Sequence, residues 1–567
     1  MSGIRPSFYP GIDLSLETSA LIMSHDDESQ LSQQNPGPPP PLRDIDDVIG
    51  ELEFNRFHYW LLLLCGMGFC VDAMEVVALS FINPCAGEEW DLSNQQIALI
   101  TSVVFAGQVL GSFFWGPFAD AYGRWKAYMY SVLILCISSW ASGFAPSYNW
   151  LLLLRFIVGV GVGGNTVPFD IFAEFLPHKV RGRCLTYTNC FWTLGELYVT
   201  FTAYLLIGSY GWRGLVFATA VPVTIGGVLS YYILPESPRW LITQGRFAEA
   251  EQVVRDCAEF SSTKPGPFTF EDPMARKERP PTSSMLSAED GNGAGACAVG
   301  DVDSPEGRKQ NGAISIADAL DHTYESYKEI LLGANLRMTT LKVGTIWVCF
   351  GFAYYGIVLL ITRMYEGKVG GESGANGQED LNLNGNAVCS FDYGGIAFNT
   401  SAEIGGFILA LITIDLLGRR GTQLWTYLAS GGALVVMGSL PHETANTIVI
   451  LGFVTRMTSM AASQTGWVMT PELYPTRVRA TAHSLVNCLA RLGALASPFL
   501  VVSKTDTLTV AFILGLVNVV AAVAAWSLPE TAGEGIDKED AIMSGTSASA
   551  QSNPVHATEV RLRKPGL

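Results

Sequence analysis

The chain is short of charge. Asp, Glu, Lys and Arg make up 15% of its 567 residues, while 49% are hydrophobic. That balance excludes an ordinary soluble chain of this size and points to a membrane protein. Base is scarcer than acid, 35 residues against 52, which argues against nucleic acid as a partner. The 11 cysteines form no Cys-x-x-Cys pair and no Cys/His cluster, so neither a metal site nor a cofactor is expected. Most of them fall in apolar runs, where a small thiol simply packs. There is no nucleophile elbow and no phosphate loop, so the chain is not expected to be an enzyme. Roughly 45 polar residues precede the first apolar run, unlike a cleavable signal peptide.

Long apolar runs are what the chain does have. We place spans near 59–82, 96–118, 127–145, 149–171, 184–207 and 214–234, then 339–362, 393–414, 422–440, 446–469, 481–503 and 507–527. Each is long enough to cross a hydrocarbon core of about 30 Å as a helix. The fold class expected is therefore an all-α membrane protein: twelve transmembrane helices in two pseudo-symmetric six-helix bundles, 54–241 and 339–530. Residues 1–53, 242–338 and 531–567 read as disordered tails and linker, rich in Pro, Ser, Gly and mixed charge. A short amphipathic helix is expected near 320–332. Arg124, Lys126, Lys179, Arg181, Arg183, Arg419, Arg420, Arg477 and Arg479 fall in alternate loops. Base in short loops marks the cytoplasmic side, so both termini and the linker are expected there. Loops 83–95 and 363–392 are acidic and face outside or a lumen. They carry Cys85 and Cys389, for which a disulfide is open.

The two halves repeat each other. Asp120-Ala-Tyr-Gly123-Arg124 matches Asp415-Leu-Leu-Gly418-Arg419. Glu174-Phe-Leu-Pro177-His-Lys-Val-Arg181 matches Glu472-Leu-Tyr-Pro475-Thr-Arg-Val-Arg479, and Leu234-Pro-Glu236 matches Leu528-Pro-Glu530. Three pairs in register indicate duplication, and parallel repeats of six spans put a binding site at the midplane between halves. These motifs, with Arg155 in the fourth span and Pro235-Glu-Ser-Pro-Arg239-Trp after the sixth, resemble the major facilitator superfamily, most of all its sugar-porter and organic-ion branch. Asp72-Ala-Met-Glu75-Val, with Ala173-Glu-Phe-Leu-Pro177, is similar to the synaptic-vesicle-2-related proteins and the related nicotinate and aromatic-acid carriers. The resemblance runs over 55–530 and departs at Leu411, which stands opposite Gly116. It implies alternating access, with spans 1, 4, 7 and 10 lining the cavity. Asp120, Gly123, Arg124, Glu174, Arg181, Asp415, Arg419, Glu472 and Arg479 would form a cytoplasmic gate.

Charge inside the spans is costly and marks function by default. Asp72 and Glu75 lie three residues apart, on one helix face. At 1.5 Å per residue, Asp72 is roughly 20 Å in from one side and Arg155 roughly 10 Å in from the other, at matching depth. One of the acids is thus expected to pair with Arg155, leaving the other as surplus. Protonating the acid would free Arg155 for a carboxylate. Arg456, Glu403, Glu196 and Arg491 also come out near mid-depth, with pairings depth alone leaves open; Asp170 lies near the inner end of span 4. Arg456, Asn165, Trp192 and Tyr355 are further candidates to touch substrate. Gly159-Val-Gly161-Val-Gly163-Gly164 reads as close helix packing, not a nucleotide loop.

The expected function is a proton-coupled carrier of a small organic anion, nicotinate-like or another monocarboxylate. Asp72 and Glu75 would carry the proton, and Arg155 and Arg456 the anion. The expected partners are that substrate, protons and the lipid bilayer, around a monomer in the plasma membrane or an endomembrane vesicle. A sugar, polyol or organic-cation carrier is the alternative, as is a vesicle-membrane binding protein of the same fold.

Overall fold

A computed structural model describes the chain between residues 43 and 531, apart from 178–183, 261–265, 271–323, 366–388, 441–444, 475–477, 503–504 and a few isolated positions. Arg181 lies outside the described residues, and of Arg479 only the backbone is described. The helices are α1 (Ile45–Glu51), α2 (Arg56–Glu89), α3 (Asn94–Tyr122), α4 (Arg124–Gly143), α5 (Tyr148–Val162), α6 (Thr166–Phe175), α7 (Cys190–Ile233), α8 (Pro238–Thr243) and α9 (Phe247–Phe260). They continue with α10 (Arg337–Tyr365), α11 (Tyr393–Ser439), α12 (Ala445–Glu472), α13 (Arg479–Val501) and α14 (Thr507–Trp526).

Among the described residues, eight helices are long and apolar enough to cross a membrane. Two of them are double: α7 reverses at Gly211 and α11 at Gly418. The α5–α6 pair, joined through a 3-10 turn at Gly163–Asn165, already counts among the eight; with α4 and α12 the passes number twelve among the described residues. Large side chains such as Phe113, Phe144 and Leu416 stay exposed on the perimeter, as a surface solvated by lipid requires. Arg124, Lys126, Arg419 and Arg420 lie at one end, called here the basic end; the Glu88–Asp91 end of α2, where Glu89 pairs with Arg213, is the acidic end.

Close backbone approach fixes the bundles. A Cβ on Gly107 would run into the carbonyl oxygen of Phe156, and one on Gly159 into that of Val104, so α3 and α5 touch backbone to backbone. The second half repeats the device between spans 8 and 10, where a Cβ on Gly406 would meet the carbonyl of Met457. Likewise Gly195 of α7 lies on the Cys70 carbonyl, and Gly351 of α10 on that of Ala490. Small residues permit such approach, and van der Waals contact then substitutes for the hydrophobic drive that lipid removes.

Three expectations about the chain need correction. Residues 45–51, read as disordered, form α1; Val48 and Leu52 pack on Trp240, Leu241, Val254 and Phe268. Residues 242–260, assigned to the disordered linker, continue α8 and form α9, which buries the opposite face of the same cluster. Apolar residues this sparse escape notice when read singly, yet four short segments together bury a core. The Arg43 amide donates to the Thr269 carbonyl at 2.9 Å, and the Arg43 guanidinium beside Glu51 holds its carboxyl below the usual range. Finally, α2 runs through Pro84 to Glu89, about two turns past its expected end. Positions 327–332 are helical, within the stretch expected to form an amphipathic helix.

Cys85 of α2 and Cys389, four residues before α11, are joined as a disulfide with Cα atoms 5.6 Å apart. The bond links the halves at the acidic end. With a protease site inserted in 271–323, the two cleaved halves should migrate as one band until reductant is added. Separation without reductant would show the bond does not form. Gly159→Leu should destabilise the protein by about 1–3 kcal/mol or prevent folding by overpacking. Gly116→Ala, whose Cβ would meet nothing within 4 Å, should leave the thermal unfolding midpoint unchanged.

Candidate functional site: a cavity between the halves

A cavity of about 90 Å³ lies between the bundles, room for a molecule of several heavy atoms rather than one ordered water. Both halves line it: Phe69, Asp72, Asn165, Phe169, Asp170 and Trp192 from the first, Trp347, Tyr354, Tyr355, Trp467, His483 and Arg491 from the second. Its acidic-end side is closed by contacts across the halves. Phe81 meets Phe391 edge-on at 5.0 Å, and Phe105 lies 4.8 Å from Tyr355. The Ser102 hydroxyl donates to the Leu495 carbonyl at 2.9 Å, and the disulfide adds a covalent link. Toward the basic end rings cross the gap, Trp467 standing 6.3 Å from Phe69 and 6.2 Å from Phe169. The protein is thus sealed at its acidic end, with its cavity on the basic side of the seal.

Among the described residues, three buried guanidinium groups are each matched by carboxylate. Arg155 donates to Glu75 at 2.8 Å, with both side chains almost fully enclosed. Asp72 pairs with Arg491, which also donates to the Tyr355 hydroxyl at 2.6 Å; Gln108 donates to Asp72 from α3 at 3.3 Å. Arg456 meets Glu196 and, at 2.6 Å, Glu403. So the surplus acid expected beside Arg155 is not there. Asp72 has its own partner on α13, and the excess carboxylate sits at Arg456. Depth from the sequence brought Asp72 and Glu75 level with Arg155 without choosing between them; Glu75 takes the place, and Asp72 points across the interface, which a single span cannot reveal.

Arg155 and Arg456, expected to meet substrate, do not line the cavity; Arg155 is 1% exposed and Arg456 4%. Arg491, given no role from sequence, does. Trp192 lines the wall and donates to Glu196 at 3.1 Å and to the Tyr354 hydroxyl at 2.9 Å. Asn165 lines it and donates to the Gly68 carbonyl at 3.0 Å. Asp170 lines it near the basic end, within electrostatic reach of Arg124. Trp347, His483 and Gln464 were missed. A polar or aromatic residue alone in an apolar span was the one available signal, and it does not say which way the side chain faces.

The basic-end motifs form two matching networks, one per half. Arg124 pairs with Asp120, and its Nε stands 3.6 Å from Glu174. Arg419 holds Glu472 through two bonds of 3.2 and 3.1 Å. Asp415, expected to act like Asp120, makes no ion pair among the described residues. Glu236 and Glu530, noticed only as part of the repeat, cap helix starts. Glu236 accepts from the Trp125 amide at 3.0 Å; Glu530 accepts from the Arg419 and Arg420 amides at 2.8 and 3.1 Å. Negative charge there complements the helix N-terminus. Gly123 and Gly418 make room, since both hold positive φ (108° and 72°) and a Cβ on either would overlap the capping carboxylate. Each of these bonds stays within its own half.

Gly418→Ala should therefore lower stability by about 1–3 kcal/mol through forced positive φ, read as a lower midpoint in thermal unfolding of the purified protein. Gly432→Ala, in open space, serves as control, and equal midpoints would refute the role of Gly418.

Comparison with known proteins agrees with this architecture. Residues 64–498 match the sequence profile of the Major Facilitator Superfamily. The chain is 30% identical over 465 residues to the organic cation/carnitine transporter 7 of Arabidopsis thaliana, covering 81% of this chain and 88% of that one. It is 30% identical over 537 residues to the synaptic vesicle 2-related protein of Pongo abelii, covering 93% and 88%. Among solved structures, the xylose transporter XylE from E. coli in a partially occluded inward open conformation superposes with a TM-score of 0.59. It shares 16% identity and covers 84% of this chain and 99% of that one. The chain belongs to the Major Facilitator Superfamily and is a multi-pass membrane transporter working by alternating access, not an enzyme.

Proposed function

We propose that the protein carries a small, ring-bearing organic acid such as nicotinate together with a proton, and that Arg491 meets the carboxylate. The observation that carries this reading is the Asp72–Arg491 pair on the cavity wall. Arg491 is the one guanidinium lining the cavity among the described residues, and it is permanently charged. Asp72 neutralises it in the arrangement seen here. When Asp72 takes a proton, Arg491 is freed and the substrate carboxylate replaces Asp72 as its partner. Anion and proton then enter together and the wall keeps its net charge, as a low-dielectric site demands. Trp192, Trp347 and Trp467 supply flat faces for a ring. Of the two acids expected to carry the proton, Asp72 keeps the role; Glu75 stays with Arg155 inside one bundle. We read the basic end, with both termini, as cytoplasmic, because base in short loops favours that side; the cavity then faces inward. Asp120, Arg124, Glu174, Arg419 and Glu472 hold each half's inner end rigid.

A second reading is an organic-cation carrier. Asp72 and Asp170 share an aromatic wall, where a quaternary ammonium gains cation–π attraction, and one relative is named an organic cation/carnitine transporter.

Uptake of labelled nicotinate into proteoliposomes should rise with an inwardly directed proton gradient. Arg491→Met should cut uptake about 10–100-fold, the loss of a charge-assisted contact, while Asp72→Asn should make uptake indifferent to the gradient. Uptake unaffected by Arg491→Met, with a trimethylammonium compound carried instead and lost in Asp72→Asn, would establish the cation reading.

A further inference from the structure

Two carboxylates, Glu196 and Glu403, converge on one guanidinium nitrogen of Arg456, and all three side chains are enclosed, at 0%, 0% and 4% exposure. From this we infer that Glu196 and Glu403 share a proton in the arrangement seen here, forming a proton-binding site that spans the two halves. It is separate from the Asp72–Arg491 pair and needs no substrate.

The charge count is the first support. Arg456 cancels one carboxylate, and no other cation reaches the group among the described residues. The groups facing it are the Tyr354 hydroxyl, 2.5 Å from Glu403 and 3.4 Å from Glu196, the Trp192 Nε1, 3.1 Å from Glu196, and the Thr193 hydroxyl, 3.3 Å from Glu403. All are neutral donors. The ionic neighbours beyond them, Asp72 with Arg491 and Glu75 with Arg155, are already balanced pairs. Two like charges on one partner in an apolar interior cannot both persist; one carboxyl keeps its proton.

Connectivity is the second support. Glu196 belongs to α7 in the first half, whereas Glu403, Arg456 and Tyr354 belong to α11, α12 and α10 in the second. If the halves part at their acidic ends, Glu196 leaves with its bundle. Glu403 and Arg456 remain as a balanced pair, so no proton is needed there. Glu196 then meets water from the acidic side and exchanges its proton with it. Closure rebuilds the triad and requires Glu196 to arrive protonated, so an O–H bond is formed from a proton of the acidic-end water.

The test uses infrared spectroscopy of the full-length protein in a bilayer without substrate. A protonated-carboxyl C=O band should be present at neutral pH and should shift when glutamate is carbon-13 labelled. Either Glu196→Gln or Glu403→Gln should remove it, since each leaves one acid balanced by Arg456; Glu196→Asp should move it; Asp72→Asn should leave it. Absence of a glutamate-derived band in the unmodified protein would overturn the inference, as would its survival in either Gln variant. Because no transport is measured, the result stands apart from that of the nicotinate assay.

Discussion

Charge balance inside the bilayer is the constraint on which this structure depends. An unpaired ion in a low-dielectric interior costs several kcal/mol, so each buried guanidinium must find carboxylate. Arg155, Arg456 and Arg491 all do. Their pairings differ in what they join. Glu75–Arg155 lies within the first half and survives any movement of one half against the other. Asp72–Arg491 and Glu196–Arg456 join the halves, so rocking must break them. A pair that breaks leaves two charges that something else must offset.

Backbone contact provides the rigid bodies that such a mechanism needs. Gly107 and Gly159 let α3 and α5 meet without side chains between them, and Gly406 does so for spans 8 and 10. Helices that close move as one. At the basic end the same economy recurs: Glu236 and Glu530 each cap a helix start over a glycine of positive φ. Each half is thus braced separately. At the acidic end, rings, a disulfide and the Ser102–Leu495 bond join the halves and close the seal.

Beyond the bundles, α1, α8 and α9 make a small layer on the basic end. It touches the first half directly, since the Trp240 indole donates to the Asp120 carbonyl at 2.7 Å and the Ser237 hydroxyl bonds Glu174. A segment that precedes the first span thus packs on one that follows the sixth, which braces the same helix ends that carry the motif residues.

The sequence by itself determined the number of passes, their grouping into two repeats and which residues would be expensive to bury. Those follow from run length, motif register and composition, all local quantities. It also put Asp72 and Glu75 near the depth of Arg155, because depth in a helix is a count of residues, without choosing which acid pairs. Tertiary structure alone decided the partners. Asp72 finds Arg491, 419 residues away, through the rotation of two helices about their axes, and no count of depth contains that angle. The same rotation turns Arg491 toward the cavity and encloses Arg155 and Arg456. It moves the surplus carboxylate from the first span to the Glu196–Glu403 pair, because surplus is a property of a neighbourhood in space. Single residues show that a charge is costly; only the packing of helices from both halves shows what offsets it.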